Sequence, residues 1–350
     1  VRAWKRFGTA VPRQGDGFVP DVLGPGFRAR TLPLAPDEEG DVVATLVAHV
    51  PREDPARTAP NPARAVGHLL PPGPLAGCDV LYVHGWSDYF FQAELARKVS
   101  AMGAQFFALD LRKYGRSLRS GQTPGYVTDL ATYDEDIQAA LSVMGTPAAG
   151  RKLVLLGHST GGLTLSLWAA RHPGRAAGLI LNSPWLEFQA SRVGRQMLAP
   201  LMQAQSRLAP RSELPNVDLG FYTRAVAAAQ GGEWTYNEEW RPERGFRTRP
   251  GWMKAILEAH AKVLGELSLE IPVLTLLSTK SMIQATWSEE MRRCDTVLVV
   301  DLIAERATRL GPDVSIRRLD GALHDVFLSA SPVREAGYAA IRRWASEVLG

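Results

Sequence analysis

Residues 153–163 read Leu-Val-Leu-Leu-Gly-His-Ser-Thr-Gly-Gly-Leu, and this run constrains the fold more than any other in the chain. Leu153 to Leu156 are continuously apolar, as in a strand buried on both faces. A helical pattern, Leu163–Ala170, follows almost at once. A strand that runs straight into a helix needs a tight, strained reversal, and Gly157 and Gly161 supply the backbone room for it. Such a turn holds the Ser159 hydroxyl clear of the backbone at the carboxyl edge of a sheet. An anion forming there meets the free N–H groups and positive dipole end of the helix. The alternative is a glycine-rich turn that merely lets a helix pack closely on a sheet. The strand–turn–helix setting favours a nucleophile.

The rest of the chain follows the same grammar. Apolar or alternating strand patterns occupy Phe27–Leu34, Val42–Val50, Asp79–Val83, Gln105–Leu109, Leu153–Leu156, Gly178–Leu181, Ile271–Leu277 and Val314–Leu319. Helical patterns over Phe90–Met102, Asp129–Met144, Leu163–Ala170, Leu302–Leu310 and Val333–Val348 alternate with the later strands, which predicts a largely parallel sheet covered on both faces. Between Trp185 and Leu269 the alternation lapses into helical stretches such as Arg195–Leu208 and Trp252–Leu264. The expected organisation is therefore an α/β core of residues 1–184 and 270–350 interrupted by a helical insertion, 185–269. Seven prolines between Pro51 and Pro74 forbid regular structure there and predict a surface loop.

A serine hydroxyl needs a base, and the base needs an orienting carboxylate. Of the seven histidines, His324 follows the last predicted strand, from which a loop can return it to Ser159. His158 adjoins Ser159 and is expected to point away from its hydroxyl. His49, His68, His172 and His260 fall on an early strand, the proline loop, a helix end and the insertion. For the acid, Asp325 sits too close to His324 to reach round to its ring, and Asp301 and Asp313 flank a helix that they could simply cap. Asp295 precedes His324 by one helix and one strand, giving the chain order Ser, Asp, His. Glu289 and Glu290 remain competitors. His84-Gly85-Trp86 ends a strand of the parallel run, where the Trp86 N–H can be aimed at an oxyanion together with that of Thr160. A simple strand-terminating turn is the plainer alternative.

Taken together these residues resemble the α/β-hydrolase superfamily, and within it the group of monoacylglycerol lipases, lysophospholipases and serine aminopeptidases. The likeness rests on His84-Gly85-Trp86, on Asp110-Leu111-Arg112-Lys113-Tyr114-Gly115-Arg116-Ser117, on Gly157–Gly161 and on Gly321-Ala322-Leu323-His324-Asp325. It implies a mostly parallel eight-stranded sheet flanked by helices, with a helical cap inserted after the sixth strand. It also implies a serine hydrolase acting on carboxylic esters, with Ser159, Asp295 and His324 as triad. One departure stands out: the family's acid lies within a few residues of the strand matching Ile271–Leu277, whereas here Ser278-Thr279-Lys280-Ser281 follows and no acid appears until Glu289. Asp295 matches the acid position only if an extra segment loops out first.

Substrate choice is expected to fall to the insertion. Five of the nine tryptophans (Trp185, Trp234, Trp240, Trp252, Trp287) lie in or beside it, either as an aromatic roof over an acyl pocket or as the insertion's own small core. His84, Trp185 and Trp252 are the candidate pocket residues. A peptidase or amidase on the same triad is the rival, with Glu233, Glu238 or Glu239 gripping a substrate amine; a low-turnover small-molecule-binding protein is the other. Composition narrows the partners. Lys and Arg exceed Asp and Glu by only 40 to 36 without a basic block, which gives no support for nucleic acid. The only cysteines, Cys78 and Cys294, are too few for a disulfide framework. No apolar stretch approaches a membrane span, and no apolar segment follows the basic Val1–Arg6 start, so a cytoplasmic monomer or homodimer is expected. No metal or organic cofactor is called for, since no HExxH, Walker A or G-x-G-x-x-G pattern occurs.

Overall fold

The computed structural model describes residues 17–56, 72–146, 149–188 and 192–349, with the side chains of 192–199 left out. Most of the proline-rich stretch and the basic N-terminal run therefore lie outside the described residues. Among the described residues nine strands form one sheet: β1 (Val19–Pro20), β2 (Phe27–Pro33), β3 (Val43–His49), β4 (Cys78–Val83), β5 (Gln105–Asp110), β6 (Lys152–His158), β7 (Gly178–Asn182), β8 (Val273–Ser278) and β9 (Val314–Leu319). Their spatial order is β1-β2-β3-β5-β4-β6-β7-β8-β9, antiparallel through β3–β5 and parallel from β5 onward.

The expected eight strands become nine because β1 was not legible. Two residues cannot display an alternation, and both are exposed at the edge of the sheet, where a proline is tolerated. Strands β4, β7 and β8 are buried along their whole length, as their continuous apolar sequence demands. Strand order reverses around β4, with β5 on one side and β6 on the other, and Val83 is paired with Gly157. The carboxyl ends of β4 and β6 therefore end side by side at a topological switch point, where open α/β sheets bind their ligands.

Two apolar layers sandwich the sheet. One joins it to α2 (Tyr133–Met144) and α3 (Thr160–Arg171) through residues such as Ile137, Leu141, Leu163 and Leu167; the other joins it to α1 (Ala93–Ala101) and α8 (Ser331–Val348) through Leu95, Val99, Ile341 and Trp344. Each fully buried side chain of this size contributes about 1.5–3 kcal/mol. Between β7 and β8 lie α4 (Arg192–Leu208), α5 (Phe221–Val226) and α6 (Pro250–Leu264). Pro250 occupies the first turn of α6, where its missing N–H costs nothing. Helix α6 turns Trp252, Ala255, Ile256, Ala259 and Val263 to the buried side, and Trp252, Ile256, Ala259 and Val263 join the same apolar layer as α2 and α3. Helix α7 (Val300–Ala307) completes the eight α-helices among the described residues.

Candidate active site

Ser159 sits between β6 and α3 with φ 51° and ψ −118°, a conformation that costs a non-glycine residue of order 1–3 kcal/mol. The surrounding packing explains why it persists. A Cβ on Gly157 would stand 2.6 Å from the Gly162 Cα, and one on Gly161 would stand 2.3 Å from the carbonyl oxygens of both Val83 and His84. The helix N-terminus is thus pressed against the end of β4. The Ser159 N–H donates to the Asn182 carbonyl (3.1 Å), and its own carbonyl accepts from Trp185 N–H (3.0 Å) and Leu163 N–H (3.2 Å). The backbone is pinned from three sides while the hydroxyl carries no hydrogen bond to any described residue.

His324 lies in the turn after β9, 3% exposed, and its Nδ1 faces Asp295 Oδ2 at 3.0 Å. With a carboxylate as partner, Nδ1 is the donor and Nε2 is left to accept. The other Asp295 oxygen accepts from the N–H groups of Val297 (2.7 Å) and Leu298 (2.8 Å), so the fully buried carboxylate is satisfied on both sides. How Asp295 returns to the sheet resolves the departure in the sequence. Beyond β8 the chain continues to Met282, makes an excursion over residues 283–294, and comes back to pair Asp295 with Ser281; Asp295 N–H donates to Lys280 O (2.9 Å) and Met282 N–H to Asp295 O (2.8 Å). Backbone pairing places Asp295 at the strand end despite the extra residues. Glu289 and Glu290 are exposed on the excursion, Glu289 bound to Trp287 Nε1 and Arg292.

Asp325 serves a different partner set. Its carboxylate accepts from Gln92 Nε2 (3.1 Å), Asn182 Nδ2 (2.6 Å) and Phe327 N–H (2.8 Å), and Asn182 Oδ1 in turn accepts from Val326 N–H (3.0 Å). This buried network ties the His324 turn to the end of β7 and to the residue before α1. Sequence reasoning did not identify Gln92 or Asn182; a buried polar residue ending an otherwise apolar strand, as Asn182 does, was the available signal. His158 is buried beneath the site with Nδ1 on Asn182 O (3.1 Å) and its ring 4.9 Å from that of His324. Burial lowers its pKa to about 4 against the opposing pull of Asp325, so it is neutral near pH 7.

The turn after β4 faces the elbow closely: a Cβ on Gly85 would lie 3.0 Å from the Ser159 Cβ. Neither Trp86 N–H nor Thr160 N–H has an acceptor among the described residues. His84 has both ring nitrogens engaged, Nδ1 with Gly85 O (2.8 Å) and Nε2 accepting from Leu111 N–H (3.1 Å), so it splices the ends of β4 and β5. Burial lowers its pKa as well.

Residues 78–329 match the family described as "Serine aminopeptidase, S33". The chain belongs to this family. Among curated relatives, a monoacylglycerol lipase of Mycolicibacterium smegmatis is 26% identical over 41% of this chain and 50% of its own, and lysophospholipase L2 of Escherichia coli K12 is 34% identical over 28% and 29%. The chain thus spans about half or less of the curated relatives it matches. Among solved structures, the Paleococcus ferrophilus monoacylglycerol lipase covers 77% of this chain and 94% of its own at 19% identity with a TM-score of 0.56. A soluble variant of the Saccharomyces cerevisiae monoglyceride lipase covers 91% and 96% at 15% identity and 0.59. These likenesses show the α/β-hydrolase fold. No helix among the described residues is long and apolar enough to cross a membrane.

In this α/β-hydrolase the aromatic residues of the insertion pack on the core more than on one another. Trp252 lies against Trp86 (ring centroids 3.8 Å apart) and near Trp185 (6.2 Å), while Trp240 meets Tyr89 edge-on (5.1 Å) and Tyr236 meets Phe91 (5.2 Å). Tyr222 of α5 stands edge-on to His324 at 5.4 Å. Beneath Trp252, a cavity of about 10 Å³ is lined by His84, Gly85, Thr160, Thr164, Tyr133 and neighbours. That is room for about one water, so the packed tryptophans fill the place beside the elbow. Arg241 is buried against Asp88 (3.2 Å) and over the Tyr236 ring (4.5 Å); burial pushes the Asp88 carboxyl up to about 7, opposed by Arg241. Glu233, Glu238 and Glu239 are exposed, and Glu233 is bound to Arg334.

Proposed function

We propose that the protein is a serine hydrolase cleaving carboxylic esters through an acyl-enzyme, with residues 185–269 acting as a cap. The observation that carries the reading is the buried His324–Asp295 pair at 3.0 Å, set at the carboxyl edge of the sheet with the strained Ser159 elbow. His324 Nε2 removes the Ser159 proton as Oγ attacks the ester carbonyl, through a hydrogen bond that forms once substrate is bound. Asp295 fixes the ring and stabilises the imidazolium. The N–H groups of Trp86 and Thr160 receive the oxyanion, each such donor worth about 3–4 kcal/mol. His324 then protonates the leaving alcohol and later activates the water that releases the acid. The monoacylglycerol lipase and lysophospholipase names of the relatives favour an ester substrate. Against the amine-gripping alternative, Glu233, Glu238 and Glu239 are exposed, and the buried charge that the insertion contributes beside Tyr222 is the cation Arg241. A p-nitrophenyl ester series from acetyl to palmitoyl, run beside aminoacyl p-nitroanilides, tests this. Ester turnover that vanishes in Ser159→Ala is expected; turnover of the anilides alone would move the protein to the peptidase class.

A further inference from the structure

The turn that carries Trp86 is gripped by two different parts of the chain. The core holds its ends: His84 Nδ1 is bonded to Gly85 O (2.8 Å), and Phe90 N–H donates to Asp110 Oδ1 (2.8 Å). Across the four residues between, the core adds Tyr114, edge-on to Trp86 at 5.9 Å, and Arg116, over the Tyr89 ring at 5.5 Å, and the insertion supplies the rest. Trp86 lies against Trp252 and meets Phe246 edge-on at 6.4 Å; Ser87 Oγ accepts from Phe246 N–H at 2.9 Å; Asp88 pairs with Arg241 at 3.2 Å; Tyr89 OH accepts from Asn237 N–H at 2.7 Å. Ser87 adopts φ 53°, a left-handed conformation costing a non-glycine residue of order 1–3 kcal/mol, and it persists only where surrounding contacts over-determine it. At Ser87 itself that contact is the hydrogen bond from Phe246 N–H, within residues 237–252. Arg241 is 4% exposed, its charge met by Asp88 and by the rings of Tyr236 (4.5 Å), Tyr222 (5.0 Å) and Phe91 (5.8 Å).

We propose that Arg241 and the Phe246–Ser87 contact are positioning elements for catalysis: the insertion fixes the strained Trp86–Asp88 turn and so aims the Trp86 N–H at the oxyanion. The inference rests on the serine-hydrolase reading of the site, and it gives the insertion a role in the chemical step besides covering the substrate. Misplacement of a preorganised donor by about 1 Å costs on the order of 10²-fold in rate, and its complete loss about 10²–10³-fold.

The test compares the wild-type chain with Arg241→Met, Arg241→Lys and Ser87→Ala, measuring kcat and KM on p-nitrophenyl acetate and the Ki of phenylboronic acid, whose tetrahedral adduct places an oxygen where the oxyanion forms. Arg241→Met is expected to lower kcat by about 10–100-fold with KM changed less than about threefold, and to weaken phenylboronate binding by a similar factor. The inhibitor constant matters because it does not scale with the amount of active enzyme, so partial unfolding alone leaves it unmoved. Arg241→Lys should recover most of the loss. Ser87→Ala should show the same pattern at about 3–10-fold, and carries the test should Arg241→Met fail to fold. A rise confined to KM, or an unchanged phenylboronate Ki in both Arg241→Met and Ser87→Ala, would overturn the inference while leaving the serine-hydrolase reading intact. A wild type that neither hydrolyses the ester nor binds phenylboronate would instead remove that reading.

Discussion

Ser159 and Asp295 reach the same edge of the sheet by different means. The elbow is built within Gly157–Gly162, where steric contact between β6, α3 and the end of β4 leaves the backbone one arrangement. Asp295 arrives after an excursion of residues 283–294 and is set by a single bridge to Ser281 with two backbone hydrogen bonds. The first geometry is short-range and steric. The second is tertiary, and leaves residues 283–286 of the excursion exposed, where insertion is tolerated. Substitutions at the elbow should therefore damage folding and activity together, while the excursion should tolerate change at its exposed positions but not at the buried Met291 or at its return.

The largest expected effect tests the return point. Asp295→Asn leaves the shape nearly unchanged but permits the wrong imidazole tautomer, and should lower kcat by about 10³–10⁴-fold. Glu289→Gln, on the exposed part of the same excursion, should stay within about twofold. Steady-state kinetics on p-nitrophenyl acetate distinguishes them; comparable losses in both would break the comparison. Next comes the elbow itself. Gly161→Ala would drive a Cβ to 2.3 Å from two backbone carbonyl oxygens that cannot rotate away. It should destabilise by about 3 kcal/mol or more, whereas Ile283→Ala, at a 56% exposed position of the excursion, should cost less than about 0.5 kcal/mol in urea unfolding.

The smallest effect concerns His158, beneath the elbow. Its folded pKa of about 4 lies below the 6.5 of a free imidazole. Between those values the unfolded chain binds a proton that the folded chain refuses, so this residue makes stability rise with pH from about 4 to 6.5 and lose that contribution as pH falls. His158→Gln should flatten the dependence of Tm on pH in that window. An unchanged or steeper slope would show that His158 is not held neutral.

The same contrast explains what could be read from the chain beforehand. Ser159, its helix and the alternating core were legible because local periodicity and glycine spacing encode them. Asp295 was accessible only through chain order, since nothing local announces that Ser281 and Asp295 pair. The Asp325–Asn182–Gln92 network was not foreseen, because its members lie far apart in sequence and meet only through the sheet. Strand β1 escaped for lack of length, and the sequence left the insertion's aromatic residues between a pocket roof and a small core of their own, whereas several of them pack on the 86–91 turn.

The most direct test of the central claim is to quench the wild type at short times with p-nitrophenyl acetate and locate the acyl group by mass spectrometry of its peptides. The account predicts one acetyl adduct on the peptide containing Ser159, absent in Ser159→Ala and formed slowly in Asp295→Asn. Ester hydrolysis that proceeds without an adduct there, or that survives Ser159→Ala, would contradict it.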